Sequence, residues 1–572
     1  MGEWVNSFTN SPTHRFTDKK RSAMSTESFL DGIYQGSFDG EVFRTFRTPK
    51  PGDKVRILLD SFRQLMEEYP PSQLEEEGRI PDKMLKEMGR IGLFGISIPE
   101  LYGGLGFDLW EYLKTVEELT SVDLAVSLVS MAHLSIGVKG IVLFGTEEQK
   151  EKYLKPAATG EMIFSYALTE PHIGSDAQHI ETKAELSPDG THYILNGHKT
   201  YITNANYAGG LTVFAQMDPK RPGFMGAFIV ETNREGVKIG KDMPKMGLKV
   251  SSTAAIQFKD VRVPVENLLG KPGDGFKIAM TILNYGRLGL GASSVGMMEQ
   301  SIEDMKARSS SRIQFGVPIK DFPLVQEKMV TARVNSTIAS AMNAFAGGLL
   351  EDDVLANVAL ETSHCKLFGT TRAWDTLYDA LQVAGGAGYL ATQPYEKRMR
   401  DFRVATVFEG TTEIHSIYPA LFLMRKISKQ MELLNAGRFS QLGFLLRNLF
   451  SRTRWPLKYK NKVMQKAAKL ARANARTIRR MLFVGLLVYG KKAQEKEFFL
   501  RRITTLSLYL FGLLALLARL TSDHKAGRLR QEDLHVLHYF LEEAKEARDK
   551  NRRLFFSKKE ALHDRIFRSL FR

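Results

Sequence analysis

The segment FEGTTE, residues 408–413, places a single acid, Glu409, between an apolar aromatic residue and a Gly-Thr-Thr turn. One interpretation is structural: an acid near a helix start offsets the helix dipole, and Thr411 or Thr412 caps the first turn. The other is chemical. A carboxylate shielded by Phe408 and an apolar ligand is hard to ionise, so its pKa rises from about 4.3 towards neutrality, where a general base works best. The residue types alone leave both interpretations open.

Two further motifs carry groups that can hold a flat cofactor. YALTEPHIGSD, residues 166–176, is either such a loop or an ordinary Gly-Pro loop. NGHKTYITNA, residues 196–205, has the alternation of a strand, which places Tyr201 and Thr203 on one face. An aromatic ring beside a hydroxyl donor suits a flavin, although a cross-strand Tyr/Thr pair is the commoner cause of this pattern.

Two other kinds of site are excluded by context. GAGYLA, residues 386–391, matches a dinucleotide fingerprint, but it follows the helix-like AWDTLYDALQVA, so we predict a helix-ending turn and no NAD site. The twelve histidines form no HExxH motif and no cluster at ligand spacing, so the sequence predicts no metal site. One cysteine, Cys365, excludes an internal disulfide framework and indicates a reducing compartment.

The elements that must position these motifs change character along the chain. Residues 1–50 are polar and carry glycine and proline breakers, which predicts an extended arm with little core. Residues 51–165 have apolar spacing typical of helices, and residues 166–275 alternate like strands. Residues 276–430 return to long helices around Glu409. Residues 431–572 form a basic helical extension, so the fold class is mainly α with an inserted β domain.

Four motifs together resemble the acyl-CoA dehydrogenase family in order and spacing: YALTEPHIGSD, NGHKTYITNA, PKMGLKVSSTAAIQFKDVRVPVENLLG and RDFRVATVFEGTTEI. The resemblance covers roughly residues 50–425. It implies an N-terminal helical domain, a middle β-barrel domain and a C-terminal helical bundle, followed here by the extra helical extension. The extension is similar to that of the very-long-chain members and of a close relative involved in respiratory complex I assembly.

The resemblance implies FAD-dependent oxidation of long or very-long-chain acyl-CoA to trans-2-enoyl-CoA, as in fatty acid β-oxidation. Electron-transferring flavoprotein is the implied acceptor, and a homodimer is the implied assembly. Two alternatives stay open: an oxidase that passes electrons to oxygen, and a non-enzymatic assembly or scaffold role through the extension.

The family's site residues carry over by position. Glu409 is the implied catalytic base. The implied FAD contacts include two segments, 312–316 and 382–388, that reach FAD from the neighbouring subunit. The FAD contacts are Tyr166, Leu168, Thr169, Ser175, Tyr201, Thr203, Arg312, Gln314, Phe315, Gln382, Gly385, Gly386, Thr411 and Glu413. The implied substrate contacts are Ser175, Gly286, Arg287, Phe408 and Gly410. The family usually has Trp where this chain has Tyr201.

One position distinguishes Glu409 from a rival base. Some family members place the base on the helix equivalent to LNYGRLGLG, just before its arginine, and here that position is Gly286. Arg287 is retained as a structural cation or one near CoA. Each of Gly286, Gly289 and Gly291 costs a helix about 1 kcal/mol relative to alanine. Either room for a long acyl chain or close helix packing explains them.

The positive charge is concentrated in the extension. Residues 431–572 contain 32 Lys or Arg and 12 Asp or Glu, whereas the rest of the chain is slightly acidic. We favour binding to an anionic membrane surface over a solvated helical bundle, and we expect no nucleic acid partner. MLFVGLLVYG is too short to span a bilayer and ITTLSLYLFGLLALLA is borderline, so both are predicted to be buried bundle helices.

The amino terminus predicts no secretory signal, and Asn6 stands where a myristoylation signal needs Ser or Thr. The expected location is therefore cytoplasmic with peripheral membrane association in a bacterium, or the face of the mitochondrial inner membrane in a eukaryote.

Overall fold

The structure is a computed structural model, and it describes residues 28–46, 52–433, 443–444, 455–554 and 557–571. Within these ranges the chain forms a helical domain, a β domain, a long helical bundle and a helical extension. The predicted fold class, mainly α with an inserted β domain and extra C-terminal helices, is confirmed.

The first large unit is helical and builds its core from one apolar face of each helix. Two of its helices begin with reciprocal capping boxes, Asp108 with Glu111 and Thr146 with Gln149. Its helices are α3 (Asp53–Glu68), α4 (Pro71–Glu77), α5 (Asp82–Arg90), α6 (Leu109–Val122), α7 (Leu124–Ala132), α8 (Lys139–Phe144) and α9 (Glu147–Ala158).

The β domain follows directly and contains eight strands in one sheet. The strand order is β6-β7-β3-β2-β4-β5-β8, and β1 pairs in parallel with β4. The strands are β1 (Ile163–Ala167), β2 (Lys183–Leu186), β3 (His192–Thr203), β4 (Ala208–Gln216), β5 (Met225–Glu231), β6 (Val237–Ile239), β7 (Thr253–Pro264) and β8 (Leu268–Gly273). Inward-facing residues such as Leu195, Val213 and Ile256 form a core of their own.

The helical bundle returns after β8. Its helices are α10 (Gly275–Ser311), α11 (Pro323–Asp352), α12 (Ala359–Ala384), α13 (Pro394–Phe402) and α14 (Thr412–Leu433). A short hairpin of β9 (Ile313–Gln314) and β10 (Val317–Pro318) joins α10 to α11. Helix α12 ends at Gly385, which has φ +65° and starts a 3-10 turn, so GAGYLA is the predicted helix-ending turn.

The extension consists of α15 (Lys462–Tyr489), α16 (Glu497–Lys525), α17 (Gln531–Leu554) and α18 (Lys559–Leu570). It packs onto the bundle through α16, where Phe511 meets Phe345 of α11 with ring centroids 5.7 Å apart. The buried residues of α16 belong to the same apolar core as those of α11 and α14.

Among the residues that the structure describes, two stretches are long and apolar enough to cross a membrane, Leu124–Phe144 and Glu497–Lys525, and both are mostly buried in the protein. ITTLSLYLFGLLALLA lies in the second and is the predicted buried helix. MLFVGLLVYG is helical up to Tyr489, but only one side is buried, because Val484, Leu487 and Val488 are exposed. The segment is thus a bundle helix, as predicted, but its burial is confined to one side.

The prediction of an extended arm with little core is wrong for residues 28–46. This part forms α1 (Phe29–Gln35) and α2 (Glu41–Thr45), and it buries Phe29, Leu30, Ile33, Tyr34 and Phe43. The glycines interpreted as breakers of an extended chain instead end one helix and begin the next: Gly36, with φ +103°, caps α1, and Gly40 precedes α2. Residues 1–27 and 47–51 lie outside the described residues.

Candidate active site

Glu409 lies between the end of α13 and the start of α14, with its carboxylate directed at Gly286 of α10. A Cβ atom at position 286 would lie 2.5 Å from Glu409 Oε2 and 2.7 Å from Oε1. Real Cβ atoms do not approach this closely, so the carboxylate occupies the space that a side chain at position 286 would fill. Position 286 is therefore closely packed, but against the carboxylate of Glu409 and not against a neighbouring helix.

The surroundings of this carboxylate make it a strong base. Burial raises the pKa of the Glu409 carboxyl to about 7, against the opposing effect of the Arg287 and Lys366 cations. Glu409 Oε2 is shielded from solvent and has no hydrogen-bond partner among the described residues. A buried acceptor without a donor is unusual, and it leaves Oε2 available to accept a proton from a ligand.

The segment also caps a helix, but the cap is formed by Thr411 and not by the carboxylate of Glu409. Thr411 Oγ accepts a hydrogen bond from the Ile414 backbone N–H at 3.3 Å, which caps the first turn of α14. The carboxylate of Glu409 takes no part in this cap. The segment therefore combines both interpretations, with Thr411 as the cap and Glu409 as the unpaired acid.

The backbone at this point is unusual. Glu409 has φ +53° and Gly410 has φ +99°, so two consecutive residues adopt the left-handed region. A non-glycine residue there costs roughly 1–2 kcal/mol. Two buried donors hold the adjoining carbonyls: His415 Nε2 donates to Glu409 O at 3.0 Å, and Lys366 Nζ donates to Gly410 O at 2.6 Å.

Arg287 is buried beside the acid. Its Nη1 donates to Asn284 Oδ1 at 3.3 Å, and its guanidinium lies 5.9 Å from the centroid of the Tyr418 ring. Thr362 of α12 also donates to Asn284 Oδ1, at 3.0 Å. This cation is therefore held in place by polar contacts within the bundle and acts on Glu409 through its charge.

The neighbouring glycines of α10 differ in what they face. A Cβ at Gly291 would lie 2.3 Å from Asn343 Oδ1, so this glycine permits close packing of α11. A Cβ at Gly289 would meet only Tyr112 Oη, at 3.7 Å, which is an ordinary contact. Of the three glycines, Gly289 alone leaves room for a small side chain.

The loop after β1 is tied to β3 by buried polar contacts. Lys199 Nζ donates to Leu168 O at 3.0 Å and to Glu170 Oε1 at 2.7 Å. The Thr200 N–H donates to Thr169 O at 2.9 Å. These bonds bring the two motifs together, so Tyr166, Leu168 and Thr169 lie beside the end of β3. Tyr166 also reaches α10, donating from its hydroxyl to Ala279 O at 3.3 Å.

Tyr201 and Thr203 lie at this same edge. The pairing of β3 with β7 shifts between Lys199 and Ile202, and Tyr201 has φ +57°. This bulge leaves Tyr201 67% exposed, while Ile202 is buried and Thr203 half-buried. The hydroxyls of Thr169 and Thr203 form no hydrogen bond with another described residue. An exposed ring beside free hydroxyls fits a flat, hydrogen-bonding cofactor such as FAD.

The remaining predicted FAD residues in the bundle form a separate, exposed group. Ile319, next to the β9–β10 hairpin, and Val383, at the end of α12, share a small apolar cluster, which places both segments at one end of the bundle. None of the described hydrogen bonds or ion pairs joins this group to Glu409. Its members are Arg312, Gln314, Phe315, Gln382, Gly385 and Gly386.

Three other predicted residues lie at the surface or at its edge. Ser175 and Glu413 are exposed, and Phe408 is half-buried against the main core. A Cβ on Gly174, beside Ser175, would meet nothing within 4 Å. Within this single chain, the structure therefore brings Glu409, Gly410, Gly286 and Arg287 together, and leaves Ser175 open to a ligand from outside.

Sequence reasoning missed His415, Ser363 and Lys366. Ser363 and Lys366 belong to ETSHCK, residues 361–366, a largely polar run near the start of a long helix. All six of these side chains are buried. Since buried polar groups need partners, such a run was a signal for a polar network around the helix.

Comparison with known domain families matches three consecutive parts of the chain. The acyl-CoA dehydrogenase N-terminal domain matches residues 53–161, the middle domain matches 165–261 and the C-terminal domain matches 273–418. Together these matches span more than half of the chain, and they contain every residue of the site around Glu409.

Individual relatives extend the likeness further. The mitochondrial very long-chain specific acyl-CoA dehydrogenase of Bos taurus is 31% identical over 550 residues, 90% of this chain and 82% of its own length. The acyl-CoA dehydrogenase of Bacillus subtilis is 38% identical over 353 residues, 61% of this chain and 92% of its own. A solved acyl-CoA dehydrogenase complexed with FAD from Bacillus anthracis superposes with a TM-score of 0.78 at 29% identity, covering 91% of this chain and 90% of that one.

Proposed function

The chain belongs to the acyl-CoA dehydrogenase family, and on that premise we propose that it oxidises long or very-long-chain acyl-CoA thioesters to trans-2-enoyl-CoA. Glu409 removes the α proton of the thioester. Bound FAD would supply the acceptor for the hydride that leaves the β carbon. Tyr166, Leu168, Thr169, Tyr201 and Thr203 would hold its flavin ring, as their arrangement around an exposed aromatic ring and free hydroxyls supports.

One observation carries this proposal: the Glu409 carboxylate is buried over Gly286 with an unpaired oxygen and a pKa raised to about 7. An ordinary carboxylate is too weak to remove an α proton near neutral pH. An apolar acyl chain that excludes water would strengthen the base further, because desolvation disfavours the charged form.

The proposal is tested by flavin reduction. Purified protein is loaded with FAD and mixed with palmitoyl-CoA in the absence of oxygen. We expect the flavin absorbance of the wild type to bleach, and we expect Glu409→Gln to bind FAD and palmitoyl-CoA without bleaching. Equal behaviour of both proteins, either bleaching or inert, would show that Glu409 is not the base.

The preference for long chains is part of the proposal. It is supported by the likeness over nine-tenths of the chain to a relative named very long-chain specific. The same anaerobic experiment with acyl-CoA thioesters of different length measures this preference directly.

We propose electron-transferring flavoprotein as the acceptor of the electrons. A solved structure entitled "Electron transferring flavoprotein of Acidaminococcus fermentans" contains a chain that matches 66% of this one with a TM-score of 0.62 and 35% identity. The oxidase alternative predicts rapid reoxidation of the bleached flavin by air. If the protein is a dehydrogenase, the reduced flavin should react only slowly with air.

A homodimer would complete the FAD site. The exposed end of the bundle carries apolar side chains that single proteins usually bury: Phe315 is 95% exposed, Tyr389 82% and Leu324 76%. Arg312 and Gln382 lie at this end too, so a second copy seated there would bring them to its partner's FAD. Light scattering of the purified protein measures the oligomeric state.

We also propose that the extension binds an anionic membrane surface, which would place the enzyme beside its poorly soluble substrate. Helix α18 supports this role, because none of its residues is buried. Leu562, Ile566 and Leu570 form an exposed apolar stripe at four-residue spacing. The helix and its N-cap also carry basic residues, as is typical of helices that lie in a membrane surface: Lys558, Lys559, Arg565 and Arg568.

A further inference from the structure

His415 occupies the first turn of α14, six residues after Glu409, and is fully buried. Its two ring nitrogens make two different contacts. Nε2 lies 3.0 Å from the backbone oxygen of Glu409. Nδ1 lies 2.7 Å from Ser363 Oγ on α12. The ring therefore joins the backbone of the proposed base to the neighbouring helix.

These partners fix the protonation of the ring. A carbonyl oxygen can only accept, so Nε2 must carry the hydrogen, and Nδ1 then accepts from the Ser363 hydroxyl. Burial, together with the Arg287 and Lys366 cations, holds the pKa of His415 well below its usual range. The ring is thus neutral, with one tautomer and both nitrogens satisfied.

The contact acts at a point where the backbone needs support. Glu409 is one of six non-glycine residues with positive φ in the described chain. The next residue, Gly410, is tied to α12 through Lys366. A Cβ on Gly410 would lie 2.6 Å from His415 Nε2, so the ring packs directly against this turn.

We propose that His415, oriented by Ser363, is a positioning residue for the reaction: its Nε2–H holds the Glu409 carbonyl, and so keeps the left-handed turn that directs the carboxylate over Gly286. This inference rests on the proposed function of Glu409. It assigns His415 no contact with substrate and no transfer of a proton.

The other groups around Glu409 act differently. Arg287 faces it from α10 and Lys366 from α12, and the charge of each lowers the pKa of Glu409; Lys366 also holds the carbonyl of Gly410. Tyr112 faces it from α6 and Tyr166 from β1, both un-ionised because their pKa values are raised by burial. Because His415 is neutral, removing its ring changes the position of the base without removing a charge.

The experiment compares three variants of the full chain loaded with FAD: His415→Leu, His415→Gln and His364→Leu. Gln places an N–H near the position of Nε2. His364 is the matched control, because it is equally buried one residue from Ser363, but its Nε2 meets Ser507 of the extension at 2.6 Å.

We expect His415→Leu to lower kcat per bound flavin about 10–100-fold, as misplaced catalytic groups do. Its affinity for a non-oxidisable thioether analogue of palmitoyl-CoA should stay unchanged. The acidic limb of its kcat/KM profile should move to lower pH, since a carboxylate released from its pocket gains water. His415→Gln should recover most of the rate, and His364→Leu should lower thermal stability alone.

The proposal is overturned if His415→Leu keeps the wild-type rate and pH profile, or if His364→Leu changes them equally. Failure of the proposed function looks different, because the wild type itself would then not be reduced by palmitoyl-CoA. If His415→Leu does not fold, Ser363→Ala replaces it. Independently, ¹⁵N NMR of the wild type should show His415 neutral with its proton on Nε2 at pH 6–8; a charged ring or an Nδ1–H form refutes the inference.

Discussion

At the scale of single residues, the site depends on a close contact between two chain segments. The carboxylate of Glu409 fits over Gly286 because residue 286 has no side chain there. The charge of the site is set in the same place, by burial opposed by two cations. Its geometry and its basicity are therefore linked, and a change in one is expected to change the other.

The pH dependence of the reaction follows from the raised pKa of Glu409. A base must be ionised, so we expect kcat/KM to fall about tenfold for each pH unit below about 7, the pKa of the folded protein. An ordinary glutamate would give this fall only below about 4.5. Stopped-flow reduction by palmitoyl-CoA from pH 5 to 9 measures the limb, and a flat profile down to pH 5 would contradict the expectation.

Lys366→Met should move that limb in the opposite direction from His415→Leu. The Lys366 cation lowers the pKa of Glu409, so its removal should raise the apparent pKa above 7. The same pH series measures it. A limb that stays at the wild-type position would show that the charge of Lys366 does not reach the base.

Gly286→Ala should slow the reaction about 10–100-fold, because the new methyl group displaces the carboxylate from its position. Gly289→Ala is the matched control: it adds the same methyl group to the same helix, three residues on, where the nearest atom lies at 3.7 Å. Flavin reduction rates measure both. Equal rates in the two variants would mean that the close approach at position 286 does not matter.

At the scale of elements, helix α12 distributes polar contacts in several directions from one stretch. Ser363 and Lys366 reach the turn that holds Glu409, and His364 reaches α16. Glu361 accepts hydrogen bonds from Leu30 N and Ser28 Oγ, at the start of α1. The N-terminal segment, the turn that carries Glu409 and the extension therefore all meet α12 through buried polar groups.

Glu361 makes one of these contacts sensitive to pH. Burial raises the pKa of this carboxyl to about 7. Because its pKa is higher in the folded protein than in the unfolded chain, Glu361 stabilises the fold when it is protonated. This contribution is complete below about pH 4.5 and is lost as the pH rises through 7. Glu361→Gln lacks this titration. We therefore expect the free energy of unfolding of the variant, minus that of the wild type, to rise by on the order of 3 kcal/mol from pH 4.5 to pH 8.

Thermal unfolding at several pH values measures this difference. The wild type is the reference for the variant. Glu409 titrates in both proteins, so its contribution cancels in the difference. A difference in melting temperature that does not change with pH would contradict the expectation.

At the scale of the whole molecule, the extension is part of the main core. Tyr34 of α1 and His364 of α12 both bond Ser507 of α16, at 2.5 and 2.6 Å. A chain that ends after α14 would expose these groups and the apolar faces of α11 and α14. We expect such a truncation to be insoluble or to bind a hydrophobic dye strongly, whereas removal of α18 alone should leave the melting temperature unchanged.

A soluble truncation with the wild-type melting temperature would contradict this expectation. For the same reason, truncation is a poor test of membrane binding, which needs point changes in the full chain.

Membrane binding is tested by the apolar stripe of α18. We expect the full chain to float with vesicles that contain phosphatidylglycerol and not with vesicles of phosphatidylcholine alone. Ile566→Glu with Leu570→Glu should abolish flotation. Leu101→Glu, which places the same charge on another exposed leucine, should not. Equal flotation of all three proteins would show that α18 is not the contact.

The sequence predicted the parts of this architecture that have a local signal. The change from three- and four-residue spacing to alternation marked the β domain. FEGTTE marked Glu409 as the candidate base, but no local signal showed that its carboxylate lies over Gly286. His415 had no such signal, because its role depends on a contact with Ser363, which is distant in the sequence and close only in the folded protein. The prediction for residues 28–46 was wrong for a different reason, since Gly36 ends one short helix and Gly40 begins the next.

The pairing of Glu409 with Gly286 also restricts how such an enzyme can evolve. A lineage that moves its base from the turn to the helix cannot first acquire an acid at position 286, because the two carboxylates would claim the same volume. It cannot first lose Glu409 without passing through an ancestor that has no base. Each single step would therefore cost activity, and we expect a chain with Glu at one position to carry a small residue at the other.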